Sequence, residues 1–312
     1  MTKNVSHSGE VLAEVIRNEV VESIHSGHLI ALSADGSTLF SKGDPTKLVF
    51  PRSAIKGIQA SAMVRAGLDL DPKLLALVCA SHSGSLIHQA AALEILRAAA
   101  LDESALLNGR DRPLGVEEGR AWGEKSATSL AHNCSGKHSG MLYTCIINNW
   151  SIENYLDPEH PLQLACRREL ECLAEEEVSK TSVDGCGAPL FLLSLAGIVR
   201  AIRNLTISRD PIHRAVMAAC RNYPEMVAGE NRLTTRLMRE FDGLFLKEGA
   251  EGVEVGSLPD GRAFAFKVSD GSGRAHEPIV KSILERFGVT VLTHITPIFG
   301  GNQVIGSVRA NF

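Results

Sequence analysis

The first fifty residues alternate between apolar and polar positions. The run RNEVVESIHSGHLIALSADGSTLFSKGD holds two extended stretches with an Asp35-Gly36 turn signal between them, which predicts hairpins. At Ser53 the period changes. Apolar residues at Ile55, Ile58, Ala62 and Met63 follow helical spacing, and serine is a good residue to open a helix. LIHQAAALEILRAAA predicts a second helix over about 86–100, because alanine and leucine favour that state.

From about 100 to 240 the pattern is mainly helical. NCSGKHSGMLYTCIINN, GAPLFLLSLAGIVRAIRN and IHRAVMAACRNYPEM all carry helical apolar spacing. Alternation returns near Gly243: GVEVGSLPDGRAFAFKVSDGSG has turn signals at Pro259-Asp260-Gly261 and Asp270-Gly271. The helix PIVKSILERFG and a last β segment, TVLTHITPIFGGNQVIGSVRAN, complete the chain. Strands, then helices, then strands predict an α+β fold. In it, terminal strands meet in one antiparallel sheet, helices pack on that sheet, and a helical part is inserted. We read residues 1–312 as one domain, with an α/β part at about 1–60 and 243–312 and a mainly helical part at about 61–242.

Composition narrows the class. The chain has 312 residues, 44% apolar and 22% charged, with 32 basic against 36 acidic residues. That excludes wholesale disorder, and no basic run suits nucleic acid. No apolar stretch reaches the length of a membrane-spanning helix. The opening MTKNVSHSGEVLAEVIRNE is polar and lacks the apolar core of a secretory signal. Seven cysteines, an odd number in a long chain, suit reduced thiols and a cytoplasmic setting.

Three segments carry candidate serine chemistry. Ser53-Ala54-Ile55-Lys56 is an S-x-x-K. On a helix, i and i+3 are neighbours, so a neutral lysine amine can act as base toward the serine. The spacing alone also fits a capping serine with a solvated lysine. Ser81-His82-Ser83-Gly84 follows an apolar run and precedes a helix; it also reads as a simple turn. Lys267 closes AFAFK on a predicted strand, where an edge-strand lysine is the plainer reading. S-x-x-K, a serine-rich turn and a strand lysine, in that order, are used by serine hydrolases of the penicillin-binding and β-lactamase type. A fourth segment is dense in ligating side chains: His132-Asn133-Cys134-Ser135-Gly136-Lys137-His138. Cys134 and His138 share a helical face, and Cys186 sits in the glycine-rich DGCGAP bend. A thiolate from each segment suits zinc, with His138 as third donor on residue chemistry alone; two buried cysteines in tight turns are the alternative.

Taken together, PRSAIKGIQA, CASHSG, HNCSGKHSGM, DGCGAPLF and KVSDGSGRA resemble the signatures of the asparaginase II family, the rhizobial-type L-asparaginases. The resemblance covers nearly the whole chain. It implies a fold similar to serine β-lactamases and penicillin-binding proteins, hydrolysis of L-asparagine to L-aspartate and ammonia, and a homodimer. By position it implies Ser53 and Lys56 as the first Ser-Lys pair, Ser81 and Lys267 as the second, and one zinc ion on Cys134, Lys137 and Cys186. Asp184 matches an acidic residue beside the metal, and Arg52 precedes the nucleophile. Arg52, Asp184, Ser83 and His138 are the expected substrate contacts. Two positions depart from the family pattern: Gly57 stands where a proline is common, and Ser85 where a glutamate is common.

The expected mechanism is attack of Ser53 on the side-chain amide, loss of ammonia, and hydrolysis of the ester by water. Glutamine, one methylene longer, and penicillins are alternative substrates on the same fold. A zinc-containing amino-acid-binding protein without turnover is the alternative from another class.

Overall fold

The computed structural model describes residues 9–292 and 295–312. The polar leader at 1–8, and two positions of the last predicted β segment, lie outside the described residues. Eleven strands are present among them: β1 (Glu10–Arg17), β2 (Val20–Leu32), β3 (Thr38–Lys42), β4 (Leu48–Val49), β5 (Lys180–Val183), β6 (Pro189–Ser194), β7 (Phe245–Gly249), β8 (Val253–Ser257), β9 (Ala263–Val268), β10 (Thr296–Gly300) and β11 (Gln303–Ala310). The main sheet has the order β10-β11-β1-β2-β9-β8-β7, with β3 also on β2. Every pairing in it is antiparallel. Strands from both ends of the chain therefore share one sheet, as the polar–apolar pattern predicts.

The long β2 joins the two halves. Its first half pairs with β1, and its second half lies between β3 and β9. The β2–β3 turn forms at Asp35-Gly36. Asp35 Oδ1 accepts from the Ser37 N–H at 2.9 Å, and Gly36 takes φ +90°, where a side chain is disfavoured. One hydrophobic cluster runs from these strands into the helices. No helix among the described residues is long and apolar enough to cross a membrane.

Helices start where the chain supplies caps. Asp71 accepts from Lys73 N ahead of Pro72–Val78, and Asp210 from Ile212 N ahead of Pro211–Asn222. Two expectations need correction. Ser53 caps nothing: it lies inside a 3-10 turn, Arg52–Ile55, and the α-helix runs Lys56–Arg65. PLFLLS is not helical but strand β6, and the helix begins only at Leu195, capped by Ser194 through Gly197 N. A short unbroken apolar run fits a buried strand as well as a helix, so spacing could not separate them. Paired with β4 and β5 in a small second sheet, β6 makes DGCGAP a β-turn region between two strands.

Candidate active site

The Ser53 turn sits between the edge of the main sheet and the helical body. Gly249, at the end of edge strand β7, lies so close that a Cβ there would run into Pro51 O and reach within 3.4 Å of Ala54 N. Arg52 takes φ +53°, a left-handed conformation that costs a non-glycine residue energy. Its side chain is tied down: Nε donates to Asp184 Oδ1 at 2.7 Å. The two expected substrate contacts Arg52 and Asp184 thus bind each other, and they join the serine turn to the DGCGAP bend.

Ser53 is 7% exposed and Lys56 is 1% exposed. Lys56 Nζ donates to Ala80 O at 2.5 Å and to Cys134 Sγ at 3.0 Å, not to Ser53 Oγ. The amine is therefore withdrawn from water and suspended between the serine-rich turn and the cysteine segment. Ser81 follows Ala80, and its Oγ accepts from Asn133 Nδ2 at 2.9 Å. Ser81 N donates to Val227 O, and Ser83 donates from both N and Oγ to Ala228 O. Lys56 thus reaches the residue before Ser81, and Ser83 lies on the same turn. Ser85, where the family pattern has glutamate, caps the helix Leu86–Ala98 in a reciprocal arrangement with His88.

Lys267 lies near enough to Arg52 to feel its charge but makes no hydrogen bond to Ser81. Its Nζ donates to the Val268 carbonyl at 2.8 Å and to the Glu251 carbonyl, at the turn after β7. A second lysine, Lys247 on β7, which the sequence reading missed, lies near enough to Lys56 for the two charges to interact. It is 1% exposed and donates to Glu248 O at 2.9 Å. Burial, helped by the nearby charges of Lys56 and Arg232, brings its pKa down to about 8 against the pull of Glu248 and Glu254. Lys247 pairs with Val255 and Lys267 with Val253, so both lysines lie on one face of the sheet, on either side of β8. The overlooked signal was a lysine inside an apolar strand directly before Glu248-Gly249.

The cysteine segment behaves as a second cluster. Cys134 and Cys186 are buried against each other with Ala188 and Leu156, apart from the main core. Lys137 Nζ donates to Cys186 Sγ at 3.3 Å. Hydrogen bonding from Cys134, with Lys137 and His138 alongside, holds the Cys186 thiol well below the ordinary thiol range despite burial, while Cys134 is pushed up. His138 Nδ1 meets Tyr155 Oη at 2.8 Å, and that oxygen also accepts from Leu107 N. If the phenol donates to Nδ1, the imidazole proton sits on Nε2, which is buried without a hydrogen-bond partner. Burial brings the His138 pKa down to about 4 against the pull of the nearby Cys186, so the ring is neutral.

No group of three or more His, Cys, Asp or Glu side chains among the described residues is close enough to hold a metal ion. The donors that do converge are two sulfurs and the Lys137 amine. That set suits a soft divalent cation such as zinc, provided the amine gives up its proton on binding. Without a metal, burial lowers the Lys137 pKa, but Cys186, Cys134 and Asp184 outweigh it and the net shift is upward.

Comparison with known proteins follows this geometry. A family profile described as L-asparaginase II matches residues 13–308. No curated protein matches the chain. Among solved structures, one described as "Crystal Structure Analysis of Mglu in its native form" is similar with a TM-score of 0.47 and 11% identity over 86% of this chain. The chain spans 65% of that protein's length.

Proposed function

Because this chain belongs to the L-asparaginase II family, we propose that it hydrolyses L-asparagine to L-aspartate and ammonia, with Ser53 as nucleophile. The observation that carries the reading is the buried Lys56 amine. Lys56 opens the helix directly after the turn that bears Ser53, and Ala80 O and Cys134 Sγ hold the amine away from water. A neutral amine there takes the Ser53 proton as the oxygen attacks the carboxamide carbon. The contact between the two is not made in the resting geometry, and catalytic hydrogen bonds often tighten only with substrate in place. The C–N bond then breaks, and the nitrogen leaves as ammonia with a proton relayed through Ser81 and Lys247. Water cleaves the aspartyl-serine ester and restores Ser53.

Lys247 takes the place in this scheme that the sequence order gave to Lys267. Ser-x-x-K on a turn, facing Lys-x-Gly on the sheet edge, is the pairing used by serine hydrolases of the penicillin-binding type. We accordingly read the fold as related to theirs and residues 1–312 as one domain. Cys134, Lys137 and Cys186 would hold zinc, which when bound would offer an open coordination position for the substrate's α-amino group. His138 orients Cys186 rather than touching substrate. The family also carries the expectation of a homodimer, and the seven cysteines suit a cytoplasmic setting. Ser53→Ala is expected to lower ammonia release from L-asparagine by roughly a thousandfold or more. Near-normal release from a folded Ser53→Ala protein would reject Ser53 as nucleophile.

A further inference from the structure

The segment from Met226 to Arg232 walls the serine-rich turn. Ser81 N donates to Val227 O at 3.0 Å, and Ser83 N and Oγ donate to Ala228 O at 2.7 and 3.0 Å. Gly229 has φ +137°; a Cβ there would run into Ser83 Oγ and stand 3.5 Å from Arg232 Cγ. The Ser83 hydroxyl and the stem of Arg232 therefore border the same point. One end of the Arg232 guanidinium is fixed: Nη2 donates to Glu248 Oε1, on the residue after Lys247. The other end, Nη1, is buried and has no hydrogen-bond partner.

A buried guanidinium nitrogen without an acceptor is costly, and such groups are normally satisfied. The Arg232 charge is felt by His82 and Lys247, and it acts on both against a further positive charge. This corner therefore needs an anion, and only one side of the guanidinium is served by Glu248. An α-amino acid amide carries one anionic group away from its reacting carboxamide, its α-carboxylate. We propose that Arg232 receives the α-carboxylate of the substrate through Nη1. The inference rests on the reading of the site as an amino-acid amidohydrolase. Glu248 holds the planar fork in one orientation, so little freedom is lost on binding. A donor left buried and unpaired also rejects ligands that lack the carboxylate far better than a pocket wall can.

The test is calorimetric titration of the full chain with L-aspartate and with its α-amide, isoasparagine, alongside steady-state kinetics on L-asparagine. Arg232→Gln strands Glu248, so the double variant Arg232→Gln/Glu248→Gln is measured with it, and Arg232→Lys keeps the charge without the fork. We expect both glutamine variants to lose about 10- to 100-fold in L-aspartate affinity. KM should rise by a similar factor while kcat changes less, and isoasparagine binding should stay the same, so the preference for a free carboxylate collapses. Arg232→Lys should keep part of that preference. A preference intact in folded variants overturns the proposal, as does a wild-type protein that binds both ligands equally. If the wild type prefers L-aspartate and the variants do not, yet no ammonia is released from L-asparagine, the amidohydrolase reading fails and Arg232 stands. Ammonia release with an unchanged preference in the variants removes Arg232 alone.

Discussion

Lys247 has two cationic neighbours, Lys56 and Arg232, and a pKa brought down to about 8 from the ordinary 10.5. In the unfolded chain the amine titrates at its ordinary value. Between pH 8 and 10.5 the unfolded chain therefore binds more protons than the folded one, and stability rises with pH across that window. Below it both states are protonated and the folded protein bears the full cost of burying the charge, on the order of 3 kcal/mol. Lys247→Met is accordingly expected to be more stable than wild type at pH 7 in urea unfolding, with the gap closing above pH 10, and to lose L-asparagine turnover. Equal stability at pH 7 with normal turnover would contradict the role given to Lys247. Its importance was hard to read from sequence, because FLKEG looks like any strand with a polar middle. Lys267 looked better placed, being followed by a clear turn, but burial and the partner carbonyls of its amine are properties of the folded sheet. Ser53, Lys56, Ser81, Cys134 and Cys186 stand out in the sequence because their segments combine small, nucleophilic and ligating residues that packing alone does not require.

The elements that hold these residues depend on close approach at one glycine and tolerate change at another. Gly249 lets the edge strand touch the Ser53 turn at Pro51 O; no side chain fits without moving backbone. Gly57, at the second position of the helix Lys56–Arg65, is different: a Cβ there would meet Leu205, Val216 and Phe245 at 3.7–3.9 Å, ordinary contact distances. Gly57→Ala is expected to stabilise the protein by about 0.5–1 kcal/mol, since glycine is the more costly residue to order in a helix. Gly249→Ala is expected to destabilise it and to reduce activity. Denaturant unfolding of both variants checks the pair, and the same sign for the two would refute the packing described. Hairpins and most helices were visible as periodicity. Strand β6 was not, because its apolar residues are buried among neighbours on both faces and carry no alternation.

Across the whole molecule the site is an assembly of distant segments. Arg52 and Asp184 are 132 residues apart in sequence, and Lys56 and Cys134 are 78 apart. The cysteine cluster should therefore act as a cross-link when a metal fills it. We expect purified protein to carry close to one zinc per chain, and a chelator or Cys186→Ser to lower both metal content and the unfolding midpoint. A metal-free wild type with an unchanged midpoint would speak against zinc on these donors. Such convergence is hard to read from local pattern, since spacing says nothing about which loops meet; residue chemistry suggested that the two cysteine segments meet, and resemblance to a family supplied Lys137 as the third donor. The central claim is that Ser53 becomes covalently aspartylated. The most direct measurement is rapid acid quench of the enzyme turning over L-asparagine, followed by peptide mass analysis. The account predicts one aspartyl group on the peptide containing Ser53 and none in Ser53→Ala. Full turnover with no adduct, or an adduct on Ser81 instead, would contradict it.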